Sequence, residues 1–126
     1  MARILIVDDE EAYRECLRLA LSREGYEVRT ARNSNEAMVC NQSFSPDVLV
    51  VDWMLQESIS GLELSKSLHQ VNPELVTVVI SGYSRKRVEA QWGKAECFSI
   101  IEKPFDLNDI RDVVGRACAA KPNNRQ

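Results

Sequence analysis

The chain has 126 residues, of which 44% are hydrophobic and 28% are charged, and its formal net charge at pH 7 is −3. This length and composition suit one globular domain with a core of its own, and the acidic balance argues against a nucleic acid as a direct partner. Because no apolar run approaches membrane-spanning length, and none follows the first three residues, we expect no membrane association and a cytoplasmic location.

Short apolar runs alternate with segments of helical spacing along the chain. The runs are Ile4–Val7, Tyr26–Thr30, Val48–Val51, Leu75–Ile80 and Phe98–Ile101. Three of them are nearly continuous in Val, Ile and Leu, which is typical of strands buried on both faces. Alternation of strand and helix favours a parallel sheet covered on both sides. The predicted fold is therefore α/β, a flavodoxin-like (βα)5 three-layer sandwich with the strand order 2-1-3-4-5.

Polar residues mark the boundaries of the predicted helices. Asn33 and Ser60 precede the second and third helices as candidate N-caps. The fourth helix, at about Arg85–Gly93, is the most polar of the set. We predict one domain over residues 1–120, followed by a polar tail at 121–126 that frays.

The four cysteines predict neither a zinc site nor a disulfide framework. Cys16, Cys40, Cys97 and Cys118 include no CxxC pair, and no histidine lies near them in the sequence. Each falls in an apolar stretch, and buried free thiols are common in cytosolic proteins. We therefore predict that they are small core residues.

Polar side chains follow four of the predicted strands. The first strand ends in the acids at 8–11 (DDEE), the third in Asp52, the fourth in Ser81, and the fifth leads to Lys103. The carboxyl ends of parallel strands meet at one edge of the sheet, where ligands of such folds collect. We therefore expect carboxylates, a hydroxyl and an ammonium group to lie close together at that edge.

Local explanations exist for some of these residues. Asp8 could cap the first helix with Glu11 as its reciprocal partner, in a capping box. Glu10 and Glu11 fit the first turn of a helix, where the helix dipole favours acids. Taken together, however, several carboxylates at one edge need a counter-charge, and Mg²⁺ is the usual one in a site built from oxygen atoms. An Asp52 held between a divalent ion and Lys103 remains ionised and can attack a phosphoryl group.

The chain resembles a bacterial two-component response regulator receiver domain over residues 3–119. The motifs that carry the resemblance are Asp8-Asp9, VVDWML around Asp52, SGYS at 81–84 and EKPF at 102–105. Each motif alone is weak, but the four occur in order and at the ends of the corresponding strands.

The resemblance implies a set of site residues. Asp52 would be the phosphoacceptor, and Lys103 would pair with the phosphate. Mg²⁺ or Mn²⁺ would be bound by Asp8, Asp9, Asp52 and the backbone carbonyl of Met54.

The resemblance also implies a switch and output surface. Ser81 would be the switch hydroxyl, and Ile100, Pro104 and Trp92 would lie on the surface that changes; the peptide bond before Pro104 is commonly cis in this family. Two positions depart from the family pattern. Ile100 stands where the family usually has an aromatic residue, and Gln56 where it usually has proline.

The implied function is a phosphorylation-activated signalling switch of a phosphorelay. The donor would be a sensor histidine kinase or a histidine phosphotransfer protein. The output would be a downstream protein partner or a lost effector domain, and the chain would be a monomer or a phosphorylation-dependent dimer. It would catalyse only its own phosphorylation and dephosphorylation and would not otherwise be an enzyme. The alternative is a receiver-like interaction module that is not phosphorylated.

Two other classes fit the sequence less well. A haloacid-dehalogenase-like phosphatase needs a D-x-D motif after the first strand, whereas the acids at 8–11 are adjacent. A flavodoxin needs a Ser/Thr/Gly-rich phosphate loop at the same place, and the chain has none there.

Overall fold

Strands and helices alternate five times in the computed structural model, which describes residues 2–55, 60–92 (without the Trp92 side chain) and 99–120. The strands are β1 (Arg3–Val7), β2 (Glu27–Ala31), β3 (Val48–Asp52), β4 (Val76–Ser81) and β5 (Ser99–Glu102). The helices are α1 (Glu11–Ser22), α2 (Ser34–Phe44), α3 (Gly61–Val71), α4 (Arg85–Trp92) and α5 (Leu107–Ala120). The predicted alternation is confirmed; Gly93 and Phe98, two of the predicted boundaries, lie outside the described residues.

The strands form one parallel sheet of order β2-β1-β3-β4-β5, as predicted. Val7 pairs with Ala31 on one side and with Val51 on the other, so β1 and β2 end level with each other and β3 extends one residue further, to Asp52. Asp52 pairs with Ile80 of β4. The strand order reverses between β1 and β3, which is where folds of this kind bind their ligands.

Alternate residues of the strands enter two separate apolar layers, because successive side chains of a strand point to opposite faces. Ile4 and Ile6 of β1 belong to the layer that α1 and α5 cover. Leu5 and Val7 belong to the layer that α2, α3 and α4 cover. The sheet is therefore buried on both sides, as the nearly continuous apolar runs predicted.

The predicted N-caps of α2 and α3 are confirmed. The Asn33 side chain accepts a hydrogen bond from the Glu36 amide at the start of α2. Ser60 and Glu63 form a reciprocal capping box at the start of α3. These caps satisfy backbone donors that a helix start leaves without a partner.

The capping box considered for Asp8 and Glu11 is wrong. Helix α1 begins at Glu11, so that Glu10 is its N-cap residue, and no side chain caps it. Asp8 lies too early in the chain, and its Oδ1 accepts instead from the Glu10 amide at 2.9 Å.

Each of the described cysteines keeps its thiol group, but they are not uniformly buried. Cys118 is buried, Cys40 is partly buried and Cys16 is exposed on the outer side of α1, so the prediction of a core position is wrong for Cys16. Cys97 lies outside the described residues. None of the helices in the described parts of the chain is both long and apolar enough to cross a bilayer.

Candidate functional site

A cleft of about 580 Å³ lies at the carboxyl edge of the sheet. It is lined by Asp9, Glu10, Asp52, Met54, Leu55, Gly82, Tyr83 and Lys103. Four of the residues predicted for the site therefore share one cleft: Asp9, Asp52, Met54 and Lys103.

Asp52 ends β3 and lies at the base of this arrangement, with only 6% of its surface exposed. Its Oδ1 accepts a hydrogen bond from the Met54 amide at 3.2 Å, and its Oδ2 accepts one from Lys103 Nζ at 3.3 Å. Burial raises the pKa of the Asp52 carboxyl, and the Lys103 charge and the Met54 amide act in the opposite direction. The net shift of the pKa is upward, and Lys103 is the main counter-charge that opposes it.

Lys103 follows β5 and reaches back across the edge of the sheet. Its side chain is 15% exposed, and its Nζ lies 3.8 Å from Glu10 Oε1. Burial lowers the pKa of the ammonium, but the charges of Asp52 and Asp8 outweigh burial, and the net shift is upward. The lysine is therefore a fixed positive charge in the site.

Asp8 follows β1 and is almost completely buried, at 2% exposure. Burial raises the pKa of its carboxyl to about 6; the Glu10 amide opposes this shift, and the charge of Asp52 adds to it. The Asp8 carbonyl oxygen accepts from Arg14 Nη1 at 2.8 Å, which fixes the turn that leads into α1. The carboxyl is thus held beside Asp52 at a cost in free energy.

Three carboxylates come together closely enough to share a metal ion. Asp8, Glu10 and Asp52 each place an oxygen within 4.8 Å of the other two. An oxygen-only set with excess negative charge is the kind that Mg²⁺ or Mn²⁺ prefers, so the residues fit the predicted cofactor. Asp9 lines the same cleft but is not in this group of three, and its predicted role as a direct ligand stays a prediction.

Glu10 is the site residue that sequence reasoning missed. The sequence predicts it as a first-turn acid that the helix dipole favours, but it is the N-cap residue of α1 and lies in the cleft beside Lys103. The sequence did not show at which residue α1 begins, and only a helix that begins at Glu11 leaves Glu10 at the edge of the sheet.

Replacing Glu10 by glutamine is expected to weaken binding of Mg²⁺ about fivefold, because a half-exposed charge contributes about 1 kcal/mol. Mg²⁺ titration followed by the fluorescence of Trp53, which is buried next to Asp52, would measure the dissociation constant. Glu11→Gln, the same change one residue later at an exposed position, is the control. An affinity equal to that of the wild type in Glu10→Gln would contradict a role for this carboxylate.

Ser81 ends β4 and has no exposed surface. Its Oγ accepts a hydrogen bond from the Tyr83 amide at 2.9 Å, and its carbonyl oxygen accepts from the Lys103 amide at 2.7 Å. The hydroxyl thus belongs to the turn after β4, and the backbone of the same residue holds the segment that carries Lys103.

The predicted output surface is only partly described. Ile100 is buried at 3% exposure, and its carbonyl oxygen accepts from Arg85 Nη2 at 2.8 Å. The peptide bond before Pro104 is cis, as expected, and Pro104 itself is exposed. The Trp92 side chain and Gln56 lie outside the described residues.

The fold and the cleft define a doubly wound α/β protein whose polar site combines clustered carboxylates with a lysine at the switch point of the strand order. The chain belongs to the response regulator receiver domain family, whose family model matches residues 4–115. The resemblance predicted from the motifs is confirmed.

Several relatives agree with this assignment. The response regulator protein PilR of Pseudomonas aeruginosa is 34% identical over 117 residues, which is 91% of this chain and 26% of that protein. The solved receiver domain of NtrX from Brucella abortus is 32% identical with a TM-score of 0.85, covering 93% of this chain and 98% of that one. The response regulator TrrA of Thermotoga maritima, solved in complex with Mg²⁺-BeF, is 30% identical with a TM-score of 0.80, covering 93% and 99%. This chain spans about a quarter of the length of PilR.

Proposed function

We propose that this receiver domain accepts a phosphoryl group on Asp52 in a reaction that depends on Mg²⁺ or Mn²⁺. The observation that carries the proposal is the pairing of a buried carboxylate with a partly buried ammonium, 3.3 Å apart, at the edge of an open cleft and beside two further carboxylates. A buried lysine–aspartate pair alone is commonly structural, but extra acids next to such a pair are costly unless a cation joins them.

The chemistry at Asp52 is a nucleophilic displacement on phosphorus. A carboxylate oxygen of Asp52 forms a bond to phosphorus while the bond from phosphorus to the donor breaks, and the donor leaves with the electron pair. Lys103 pairs with a phosphoryl oxygen and stabilises the negative charge of that oxygen while the phosphoryl group moves from the donor to Asp52. A divalent ion, when bound by Asp8, Asp9, Asp52 and the Met54 carbonyl with Glu10 nearby, supplies a second positive charge for those oxygens.

Phosphorylation would then bias a two-state equilibrium of the protein. Ser81 would exchange its hydrogen bond from the Tyr83 amide for one to the phosphoryl group. Because Ser81 and Glu102 pair across β4 and β5, this shift would reach the surface formed by α4, β5 and α5. The Arg85 contacts to the Glu102 carboxylate and the Ile100 carbonyl are the bonds there that would rearrange.

The donor and output are inferred from the family. Receiver domains take their phosphoryl group from histidine kinases, and we propose a sensor histidine kinase or a histidine phosphotransfer protein as the donor here. The output would be a downstream protein or an effector domain, reached as a monomer or as a phosphorylation-dependent dimer in the cytoplasm. Residues 1–120 would form the receiver unit, which would catalyse only its own phosphorylation and dephosphorylation.

Incubation with Mg²⁺ and a small acyl phosphate is expected to add one phosphoryl group to the protein, measured by intact mass. Asp52→Asn should abolish the addition, because the amide cannot act as the nucleophile. Asp112→Asn is the control, since this aspartate is exposed on α5 and pairs with Arg116. No addition to the wild type would favour the non-phosphorylated interaction module, and an unchanged addition to Asp52→Asn would place the phosphoacceptor elsewhere.

A further inference from the structure

An aromatic ring forms part of the surroundings of the Lys103 ammonium. The Tyr13 ring centroid lies 4.1 Å from Lys103 Nζ, well within the ~6 Å over which a ring face attracts a cation. Two carboxylate oxygens also lie near the ammonium, Asp52 Oδ2 at 3.3 Å and Glu10 Oε1 at 3.8 Å. Lys103 is thus held by a neutral ring as well as by charged groups.

The position of Tyr13 follows from where α1 begins. Tyr13 lies in the first turn, and Leu17, four residues later on the same side of the helix, has no exposed surface. The helix starts at the carboxyl edge of the sheet, so its first inward-facing residue reaches the edge of the cleft. Leu17 reaches the core in the same direction.

A second ring fixes the first. Phe105 follows Lys103 by two residues, and its ring centroid lies 5.8 Å from that of Tyr13 at an interplanar angle of 44°. This distance is in the favourable range for aromatic pairs. Both residues are partly buried, and Phe105 packs against the apolar layer under α1 and α5. Phe105, which lies in the same segment as Lys103, therefore holds the Tyr13 ring in place.

We propose that Tyr13, supported by Phe105, is a positioning residue that holds the Lys103 ammonium at the Asp52 carboxylate. The inference rests on the proposed function of Asp52 as phosphoacceptor. Tyr13 is neither one of the proposed metal ligands nor a proposed phosphate contact, and it acts on phosphoryl transfer through Lys103.

The physical reason lies in the difference between a ring and a carboxylate as a partner. Asp52 changes its charge and contacts when it is phosphorylated, and Glu10 is 56% exposed and next to the metal-binding oxygens. Either carboxylate can exchange Lys103 for another cation, whereas the neutral ring face keeps its attraction throughout. Without the ring, the long lysine side chain would regain rotamers that leave Asp52.

Tyr13→Leu is expected to slow phosphorylation by an acyl phosphate about fivefold at saturating Mg²⁺, as loss of a partly desolvated cation–π contact predicts. Tyr13→Phe keeps the ring face and should react within about twofold of the wild type. Rates come from intact mass against time, and thermal unfolding checks that each variant is folded. If the Tyr13→Leu variant does not fold, Tyr13→Met can be used instead, because it also removes the ring.

A spectroscopic measurement tests whether the Tyr13 ring lies over the Lys103 side chain in solution. In the metal-free protein without a donor, the ε-methylene protons of Lys103 should be shifted upfield by the ring current of Tyr13. The shift should persist in Tyr13→Phe and be lost in Tyr13→Leu.

Each outcome decides the proposal. A slower Tyr13→Leu whose Lys103 signals do not move would overturn it, and so would a Tyr13→Leu variant that reacts at the wild-type rate. Loss of rate in Tyr13→Phe would assign the effect to the hydroxyl group and overturn it too. A wild type that accepts no phosphoryl group would instead refute the proposed function, while the Lys103 signals would still decide where the lysine is held.

Discussion

Asp8→Asn is expected to raise the free energy of unfolding of the metal-free protein by about 2 kcal/mol at neutral pH. Burial raises the pKa of the Asp8 carboxyl from 3.8 to about 6, and each pKa unit corresponds to ~1.4 kcal/mol. The full shift would correspond to ~3 kcal/mol, and screening by water in the neighbouring cleft reduces this figure. Asparagine keeps the size of the side chain and the oxygen that accepts from the Glu10 amide.

The pH dependence of this effect has a definite sign. The folded protein binds the Asp8 proton more tightly than the unfolded chain does, because the folded pKa is the higher one. The contribution of Asp8 to stability is therefore fully present below about pH 4 and is lost as the pH rises through about 6. The advantage of Asp8→Asn should be largest above pH 6 and should vanish below pH 4.

Urea unfolding of both proteins across this pH range, with a chelator present, measures the difference. Glu11→Gln is the control, because Glu11 is exposed and its replacement should change the stability by less than about 0.5 kcal/mol. Mg²⁺ should stabilise the wild type, since a ligand of the folded state adds to its stability, and should stabilise Asp8→Asn much less. A difference between the two proteins that does not depend on pH would contradict this account of Asp8.

The sequence could predict those residues of the site whose position depends on the end of a strand. An apolar run such as Val48–Val51 is short and nearly continuous, so the residue after it, Asp52, had to lie at the carboxyl edge of a parallel sheet. The same argument placed Ser81 and Lys103. Their sequence separation did not matter, because the topology of the sheet brings the strand ends together.

The residues that depend on the start of a helix could not be placed in this way. Successive residues of a helix are rotated by ~100°, so an error of one residue in the start sends a side chain to another face. The sequence therefore predicts Glu10 as a first-turn acid and allows Asp8 as a cap, and neither residue has that position. Cys16 was assigned to the core because its neighbours are apolar, whereas it lies on the exposed side of α1.

Close approach of two backbones also leaves little signal in one sequence. Gly61 is the first residue of α3, and its amide donates to the Trp53 carbonyl oxygen at 3.0 Å. A Cβ atom at Gly61 would collide with the Asp52 carbonyl oxygen and would lie 3.2 Å from the Trp53 Cα. Helix α3 thus starts directly against the backbone that carries the proposed phosphoacceptor.

Gly61→Ala is accordingly expected to destabilise the protein by about 3 kcal/mol, at the upper end of what overpacking costs. The atoms in the way belong to the backbone and cannot rotate aside, so either α3 or the end of β3 must shift. Gly115→Ala is the matched control: Gly115 lies inside α5, and its added Cβ would meet only the Tyr26 hydroxyl oxygen at 3.7 Å. That variant should gain up to about 1 kcal/mol, because alanine is the better helix former.

Chemical unfolding of the two alanine variants measures both effects against the wild type. If Gly61→Ala were as stable as the wild type, the close packing of α3 on β3 would be wrong.

A shift of β3 would also move the Asp52 carboxylate relative to Lys103, whose 3.3 Å contact leaves little tolerance. If the Gly61→Ala variant remains folded, it should therefore accept a phosphoryl group from an acyl phosphate at least about tenfold more slowly than the wild type. The Gly115→Ala variant should react like the wild type. Equal rates in the two variants would mean that the strand end holds its geometry without the glycine.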